Sequence, residues 1–513
     1  MLKRSSGVLL HISSLPGKFG IGTFGKEAYR FVDFLEETKQ SYWQILPLTT
    51  TGYGDSPYQS FSAIAGNINF IDFDMLREEK LLLEEEYQTL FYGDEEEKVN
   101  YSAVYESRKL VLEKAVQNFQ KSKKWMAALK EFQKENRLWL DDFSEYMAIK
   151  GYFSNQALQD WKDEKIQKRE KASLEKYRMM LKEEILYHNI SQFLFFYQWH
   201  KLKDYANRKG IQIIGDMPIY VSKDSVEMWT MPELFKLDEK GQVLYVAGCP
   251  ADDFSPNGQL WGNPIYDWEA QKEKKYSWWV DRIRESLKIY DVIRMDHFKG
   301  FSDYWQIDGD AVVAKEGTWE PGPGLELFDT IKKELGEVPI IAEDLGFIDE
   351  KAQKLLEDCG FPGMHILQFA FEGGAENKDL PYHYTQNSIS YIGTHDNPVV
   401  SSWFEEQTEE IKRYVCQFLN IREGESISQA MIRGIFSSVS VLAVVTMQDL
   451  LEKGKEARMN IPSVMGGNWE WRMRAGELTE EKKGFLRHMT GLYGREREDK
   501  VEEEDEAVNN KRS

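Results

Sequence analysis

Carboxylate side chains stand at the ends of several short apolar runs in this sequence. Asp216 follows GIQIIG, Asp296 follows YDVIRM, Glu343 follows VPIIA and Asp396 follows SISYIGTH. Paired carboxylates suit two chemistries: the metal-assisted reaction of a carbonyl or phosphate, and the cleavage of a glycosidic bond. A single Asp after a strand is often only a helix N-cap. Several acids gathered at one place raise each other's pKa and cost stability, so together they indicate a functional site.

Eight apolar, β-branched runs supply the elements that would position these acids. They span residues 7–16, 42–48, 210–218, 290–298, 338–346, 363–371, 388–397 and 441–450. Continuous apolar runs are typical of buried parallel strands, and stretches with helical periodicity separate most of them. The pattern predicts an α/β protein with a (β/α)₈ barrel, whose active site lies where the strands end.

The segment from 74 to 200 differs from the rest, because it is rich in Glu, Lys, Gln and Leu and has long stretches of helical period. We predict a mainly helical insertion there. The barrel would then occupy 1–73, with its first two strands, and 201–495, which includes an active-site loop at 247–264. Residues 496–513 are charged and nearly devoid of apolar side chains, so we expect a disordered tail.

Composition excludes some classes of function. The 513 residues include 65 Lys and Arg and 86 Asp and Glu, a formal net charge of −21, which argues against a nucleic-acid partner. No apolar run approaches the roughly 18 residues that a membrane span requires. The three cysteines are widely spaced and odd in number, so a disulfide framework is not expected and the cytoplasm is the predicted location.

Two histidines beside the acids keep a metal site open as a second interpretation. His297 follows Asp296 and His395 precedes Asp396. Neighbouring side chains on a strand point to opposite faces, which disfavours a shared metal ion, although the rule loosens at strand ends. No glycine motif for phosphate or dinucleotide binding and no calcium-loop pattern is present. We therefore expect neither a metal nor a cofactor.

Aromatic residues in Gly- and Pro-rich loops favour the glycosidic interpretation. The loops are TGYGDSPYQSF (51–61), PADDFSPNGQLWGNP (250–264) and GGNWEWR (466–472). Aromatic rings offer flat apolar faces, which match the apolar faces of sugars, while nearby Asp, Asn and Gln match the hydroxyl groups.

The motifs GDMPIYV, RMDHFKG, AEDLG and GTHDN, in that order, resemble the four catalytic-barrel regions of the α-amylase clan. TGYGDSPYQSFSAIAG, AGCPADDFSPNGQLWGNPIYDW and GGNWEWRM are similar to segments of the 4-α-glucanotransferases, also called amylomaltases or disproportionating enzymes, of glycoside hydrolase family 77. The resemblance runs from about residue 4 to 495. It implies transfer of α-1,4-glucan segments between maltodextrins, or to glucose, through a covalent glycosyl-enzyme.

The resemblance also implies roles for individual residues. Asp296 would be the nucleophile and Glu343 the general acid and then the base. Asp396 would hold the 2- and 3-hydroxyls of the sugar and stabilise its distorted transition state. The other implied substrate-binding residues are Tyr58, Asp216, Asp252, Trp261, Arg294, His297, His395 and Asn468. Asp253 departs from the family, since an aromatic can occupy that place, and acceptor binding would change with it.

Among these residues, Arg294 stands two positions before Asp296 and therefore on the same strand face, where its charge would keep Asp296 ionised. Two alternatives remain open at this stage. An α-glucan hydrolase of the same clan would use the same three acids with water as acceptor. A non-catalytic glucan-binding protein would need no acid and nucleophile together. Donor and acceptor lengths, the ratio of transfer to hydrolysis, cyclic products and oligomeric state are not predicted.

Overall fold

The structure is a computed structural model that describes residues 3–251, 257–346 and 349–497. The strands of this part of the chain are β1 (Ser5–Leu9), β2 (Tyr42–Gln44), β3 (Gln212–Met217), β4 (Tyr245–Cys249), β5 (Gln259–Pro264), β6 (Val292–Met295), β7 (Asp303–Asp308), β8 (Thr318–Pro321), β9 (Ile340–Ala342), β10 (Gly363–Ile366), β11 (Ser388–Tyr391) and β12 (Leu442–Thr446).

The α-helices of the same residues are α1 (Lys26–Glu37), α2 (Phe73–Glu78), α3 (Tyr101–Gln120), α4 (Lys123–Glu135), α5 (Leu140–Tyr152), α6 (Glu164–Gln167), α7 (Lys171–Met180), α8 (Lys182–Arg208), α9 (Val226–Thr230), α10 (Trp268–Glu273), α11 (Ser277–Ile289), α12 (Leu325–Leu335), α13 (Glu350–Cys359), α14 (Val400–Glu406), α15 (Glu409–Leu419), α16 (Ile427–Ser437), α17 (Met447–Leu450) and α18 (Glu480–Leu492).

Eight strands form one parallel sheet that closes into a barrel. Their order is β10-β11-β12-β1-β2-β3-β6-β9, which is the chain order taken around a circle. At the seam between β9 and β10, the backbone N–H of Ala342 donates to the carbonyl of Pro362 at 3.0 Å. Seven of the eight predicted apolar runs contain one of these strands and the run 7–16 overlaps β1, so the predicted (β/α)₈ fold is confirmed.

The barrel strands are buried on both faces, which explains their continuous apolar sequence. In β12, Leu442 and Val444 join a cluster of side chains inside the barrel. Ala443 and Val445, which alternate with them, belong instead to the larger core between the strands and the helices. Successive side chains of a strand point to opposite faces, so one continuous apolar run contributes to both cores.

Between β2 and β3 the described residues form helices α2 to α8 and no strand. The longest of these, α8, packs against α1, α3, α5 and β3 and so joins the other helices to the barrel. The predicted boundary between residues 200 and 201 falls inside α8, and the division into an insertion and a barrel stays a prediction.

A second, antiparallel sheet in the order β5-β4-β7-β8 lies outside the barrel sheet. The segment 247–264 was expected to be a loop, but its described residues belong largely to β4 and β5. Pairing explains the difference: Gly248 lies opposite both Leu260 and Trp305, because β4 is hydrogen-bonded on both sides. Most of the predicted tail, 498–513, lies outside the described residues.

In the described part of the chain, no helix has both the length and the apolar character to cross a membrane.

Gln192 of α8 joins that helix to the segment that leaves β2. Its amide accepts from the backbone N–H of Gly66 at 2.8 Å and donates to the carbonyl of Gly66 at 2.9 Å. We expect Gln192→Ala to lower the free energy of unfolding by about 2 to 5 kcal/mol, because two buried backbone groups lose their partners. Denaturant unfolding measures this. The exposed Gln353→Ala on α13 should change it by less than about 0.5 kcal/mol, and equal effects of the two variants would contradict the prediction.

Candidate active site

The predicted acids gather at the carboxyl ends of adjacent barrel strands. Asp216 lies in β3, Asp296 directly follows β6, and Glu343 directly follows β9. The ends of these strands are joined beyond the regular sheet. The N–H of Asp296 donates to the carbonyl of Met217 at 3.0 Å, and the N–H of Glu343 donates to that of Met295, also at 3.0 Å. Strand register therefore fixes where the acids stand relative to one another.

A buried guanidinium connects two of the acids. Nη1 of Arg294 lies 2.7 Å from both carboxylate oxygens of Asp216 and donates to Oδ1 of Asp296 at 3.1 Å. The side chains of Arg294 and Asp216 are 4% and 0% exposed. Tyr58 donates its hydroxyl to Oδ2 of Asp216 at 2.8 Å. One positive charge thus balances two carboxylates, as the spacing of Arg294 and Asp296 predicts.

Burial raises the proton affinity of both Asp296 and Glu343. Burial raises the pKa of Asp296 to about 6; Arg294 opposes this rise, and Asp216 adds to it. Burial also raises the pKa of Glu343, to about 7, against the opposing charge of Arg294 and with the charge of Asp296 adding to the rise. Arg294 donates directly to Asp296 and so favours the ionised form of that acid, while burial favours the protonated form of Glu343.

Backbone donors hold the Glu343 carboxyl from both sides. Oε2 accepts from the N–H of His297 at 2.7 Å, and Oε1 accepts from the N–H of Leu345 at 2.8 Å. His297 adopts a left-handed backbone with φ of 50°, a conformation that is uncommon for a residue with a side chain. Because of this conformation, the N–H of His297 points towards Glu343. Since His297 directly follows Asp296, the contact couples the positions of the two acids.

Trp261 packs against His297 on one side of the site. Their ring centres are 4.8 Å apart and the ring planes are nearly perpendicular. Burial lowers the pKa of His297 to about 4, with Lys299 adding to the effect, so the imidazole is neutral at pH 7. A neutral imidazole offers one donor and one acceptor, which suits contact with a hydroxyl group.

On another side, an aromatic stack surrounds His395. The rings of Tyr58 and His395 are stacked at 5.1 Å, and the ring of Trp469 lies 5.8 Å from His395 and 5.7 Å from Tyr58. Asp396 directly follows His395 in the chain. Its side chain is 44% exposed, and its Oδ2 lies 3.4 Å from Nε2 of His395. An exposed carboxylate beside fixed rings fits the recognition of sugar hydroxyls.

Asn468 is near the site, but its amide serves its own loop. Oδ1 accepts from the N–H of Ile461 at 3.0 Å, and Nδ2 donates to the carbonyl of Val464 at 2.8 Å. The neighbouring Trp469 is the residue that reaches the aromatic stack. The sequence shows that this loop is rich in aromatic residues, but nothing in it singles out Trp469.

Asn460 is a second residue that sequence analysis missed. Its Nδ2 donates to Oδ1 of Asp396 at 2.6 Å, across 64 positions of the chain. No motif or periodicity marks Asn460 in the sequence, so only the folded arrangement reveals the contact. Asp252 and Asp253 lie outside the described residues. Among the residues that are described, no group of three or more His, Cys, Asp or Glu side chains is placed to hold a metal ion.

Comparison with known proteins connects this geometry to a family. Residues 10–479 match the family model for 4-alpha-glucanotransferase, glycoside hydrolase family 77. The 4-alpha-glucanotransferase of Streptococcus pneumoniae is 51% identical to this chain, over 98% of this chain and 99% of its own length. The chain belongs to the 4-alpha-glucanotransferase family.

More distant members and a solved structure agree with this assignment. The 4-alpha-glucanotransferase of Thermus thermophilus is 41% identical, over 95% of this chain and 98% of its own. The amylomaltase of Streptococcus agalactiae, solved in complex with acarbose, superposes with a TM-score of 0.95 at 55% identity and covers 96% of this chain. The family that the motifs predict is confirmed, and with it a glycosyl-transferring enzyme.

The buried Arg294–Asp216 pair makes a prediction about stability. We expect Arg294→Met to lower the free energy of unfolding at pH 7 by about 3 to 5 kcal/mol, because it leaves Asp216 as an uncompensated buried charge. Denaturant unfolding measures the change.

A double variant provides the control for that prediction. Arg294→Met combined with Asp216→Leu should recover most of the lost stability, since no unpaired charge remains at that pair. Arg30→Met, which removes an exposed partner of Glu27, should cost less than about 1 kcal/mol. A loss in the double variant as large as in Arg294→Met would contradict this account.

Proposed function

We propose that the enzyme transfers segments of α-1,4-glucan from one maltodextrin to another, or to glucose, by a retaining double displacement. The observation that carries this proposal is the placement of Asp296 and Glu343 at the ends of neighbouring strands, where Arg294 donates to Asp296 and the N–H of His297 donates to Glu343. A retaining mechanism needs one carboxylate ionised to attack and the other protonated to donate. Family membership supplies the substrate class.

In the first displacement, Oδ of ionised Asp296 attacks the anomeric carbon of the donor sugar. The glycosidic C–O bond breaks, and protonated Glu343 gives its proton to the leaving oxygen. The products of this step are a shortened glucan with a free 4-hydroxyl and a β-linked glycosyl ester on Asp296. Arg294 lowers the proton affinity of Asp296 and so keeps it available as a nucleophile.

In the second displacement, the 4-hydroxyl of an acceptor sugar attacks the same carbon. Glu343, now ionised, accepts the proton of that hydroxyl, and the ester bond to Asp296 breaks. Two inversions at one carbon restore the α configuration. The backbone donors from His297 and Leu345 suit this return step, because they stabilise the ionised form of Glu343.

The surrounding polar residues would bind and orient the sugar at the reacting centre. Asp396 would accept hydrogen bonds from the 2- and 3-hydroxyls, and His297 and His395 would contact neighbouring hydroxyls. The ring of Trp261 gives an apolar face beside His297. Tyr58 was expected to contact the sugar directly. In the structure its hydroxyl donates to Asp216 and its ring stacks on His395, so it would also hold these two residues in place.

Transfer is favoured over hydrolysis when a sugar, and not water, meets the glycosyl-enzyme. The partly exposed ring of Trp261 provides apolar surface beside His297, which suits a stacked acceptor ring and excludes water. A purely binding role is disfavoured, because Arg294 favours an ionised Asp296 and burial favours a protonated Glu343, and mere binding requires neither a nucleophile nor an acid. We also propose a cytoplasmic location, for which the support is that Cys359 and Cys416 form no disulfide in the described residues.

Incubation with maltotriose tests this function. We expect longer oligomers and glucose to appear while the total of reducing ends stays constant, because each transfer breaks one glycosidic bond and forms another. Chain lengths are followed by chromatography and reducing ends by a colorimetric assay. Rising reducing ends with only shorter products would make the enzyme a hydrolase, and no change would favour a binding protein or a longer donor.

Asp296→Asn in the same assay tests the proposed nucleophile. Turnover should fall by roughly 10⁴-fold, because an amide cannot form the ester, while maltotriose binding measured by calorimetry persists. Asp358→Asn makes the same chemical change at an exposed ion pair on α13 and should leave turnover unchanged. Transfer by Asp296→Asn at near the normal rate would refute the assignment of the nucleophile.

A further inference from the structure

The side chain of Asp396 is 44% exposed, yet its proposed role needs a fixed carboxylate. The turn after β11 is built by Asn397, whose Oδ1 accepts from the N–H of Thr394 at 2.8 Å. The N–H of Asp396 points to Oγ1 of Thr394 at 3.3 Å. These contacts define the backbone of the turn but leave the Asp396 side chain without support. A carboxylate that must hold two hydroxyls in one geometry loses catalytic effect if it rotates.

Asn460 supplies the missing support. Its Nδ2 donates to Oδ1 of Asp396 at 2.6 Å. Its backbone N–H donates to the carbonyl of His395 at 3.0 Å, so the amide side chain is placed beside the next residue, Asp396. Arg458 adds a third contact, from Nη2 to the backbone carbonyl of Asp396 at 2.6 Å.

The segment that carries Asn460 is itself anchored. Nε of Arg458 donates to the carbonyl of Asn460 at 2.9 Å. The N–H of Trp469 donates to the carbonyl of Met459 at 2.7 Å, and the amide of Asn468 spans the loop between them. The ring of Trp469 then packs against His395. Asn460 is thus held at a fixed place relative to the aromatic stack.

We propose that Asn460 is a positioning residue, which fixes one oxygen of Asp396 so that the remaining acceptor sites meet the two sugar hydroxyls in the transition state. The inference rests on the proposed function of Asp396. A carboxylate has about four lone-pair sites. The amide of Asn460 uses one of them at Oδ1, and Oδ2 faces the site beside His395.

The chemistry of the contact identifies which atom matters. An ionised carboxylate only accepts hydrogen bonds, so the NH₂ end of the Asn460 amide must face it. Asn460→Asp keeps the size and shape of the side chain and removes this donor. The backbone bonds of Asn460 to His395 and Arg458 do not involve the side chain and remain.

Steady-state transfer from maltotriose tests the proposal in two variants. We expect kcat/KM to fall by roughly 10- to 150-fold in both Asn460→Asp and Asn460→Ala, mainly through kcat, because a charge-assisted hydrogen bond to Asp396 is lost. The affinity for acarbose should fall in both as well. In Asn460→Asp, activity relative to the wild type should recover as the pH is lowered, since the protonated carboxyl can donate to Asp396 again. Asn460→Ala should show no such recovery.

Asn387→Asp is the matched control, because it makes the same change in an exposed side chain just before β11, at the opposite end of the barrel. It should keep wild-type kinetics, and thermal unfolding checks that all variants are folded. Asn460 variants within about twofold of the wild type, a loss confined to KM, or equal pH profiles for the two variants would each overturn the inference. A wild-type enzyme without transfer would instead overturn the proposed function on which it rests.

Discussion

A single buried positive charge, the guanidinium of Arg294, is the interaction on which the rest of the site depends. It neutralises the buried Asp216 and contacts Asp296, so two carboxylates can stand close together. The same network extends outward, because Asp216 also accepts from Tyr58, whose ring stacks on His395. One ion pair therefore ties the ends of β3 and β6 to the loop that follows β2 and to the loop that carries Asp396.

The barrel contributes register to this network. Hydrogen bonds continue for one residue beyond the regular strands: Asp296 to Met217, and Glu343 to Met295. A one-residue slip between β6 and β9 would turn an acid away from its partner, but the barrel strands are buried on both faces, which opposes slippage. The closed sheet thereby supplies a rigid frame for the acids, and loops from distant parts of the sequence complete the sugar-binding surface.

The parts of the site that depend on local periodicity can be predicted from the sequence. The eight strands follow from continuous apolar runs, and the contact between Arg294 and Asp296 follows from their spacing of two on one strand. The contacts that depend on loop packing cannot be predicted in this way. Asn460 meets Asp396 only because the backbone of its segment pairs with His395. β4 lies between β5 and β7, and the position of β7 far along the chain hides that pairing from the sequence. Asn468 was assigned to the substrate through resemblance, whereas its amide holds its own loop.

The central claim is that the site holds an ionised Asp296 and a protonated Glu343 at the same time. The pH dependence of kcat/KM for maltotriose transfer tests this claim most directly. The account predicts a bell-shaped profile, in which activity falls below pH about 6 as Asp296 gains a proton and above pH about 7 as Glu343 loses one. The two limits belong to the interacting pair. Activity that stayed constant or rose from pH 7 to about 9 would contradict the account, because a protonated Glu343 would then not be required.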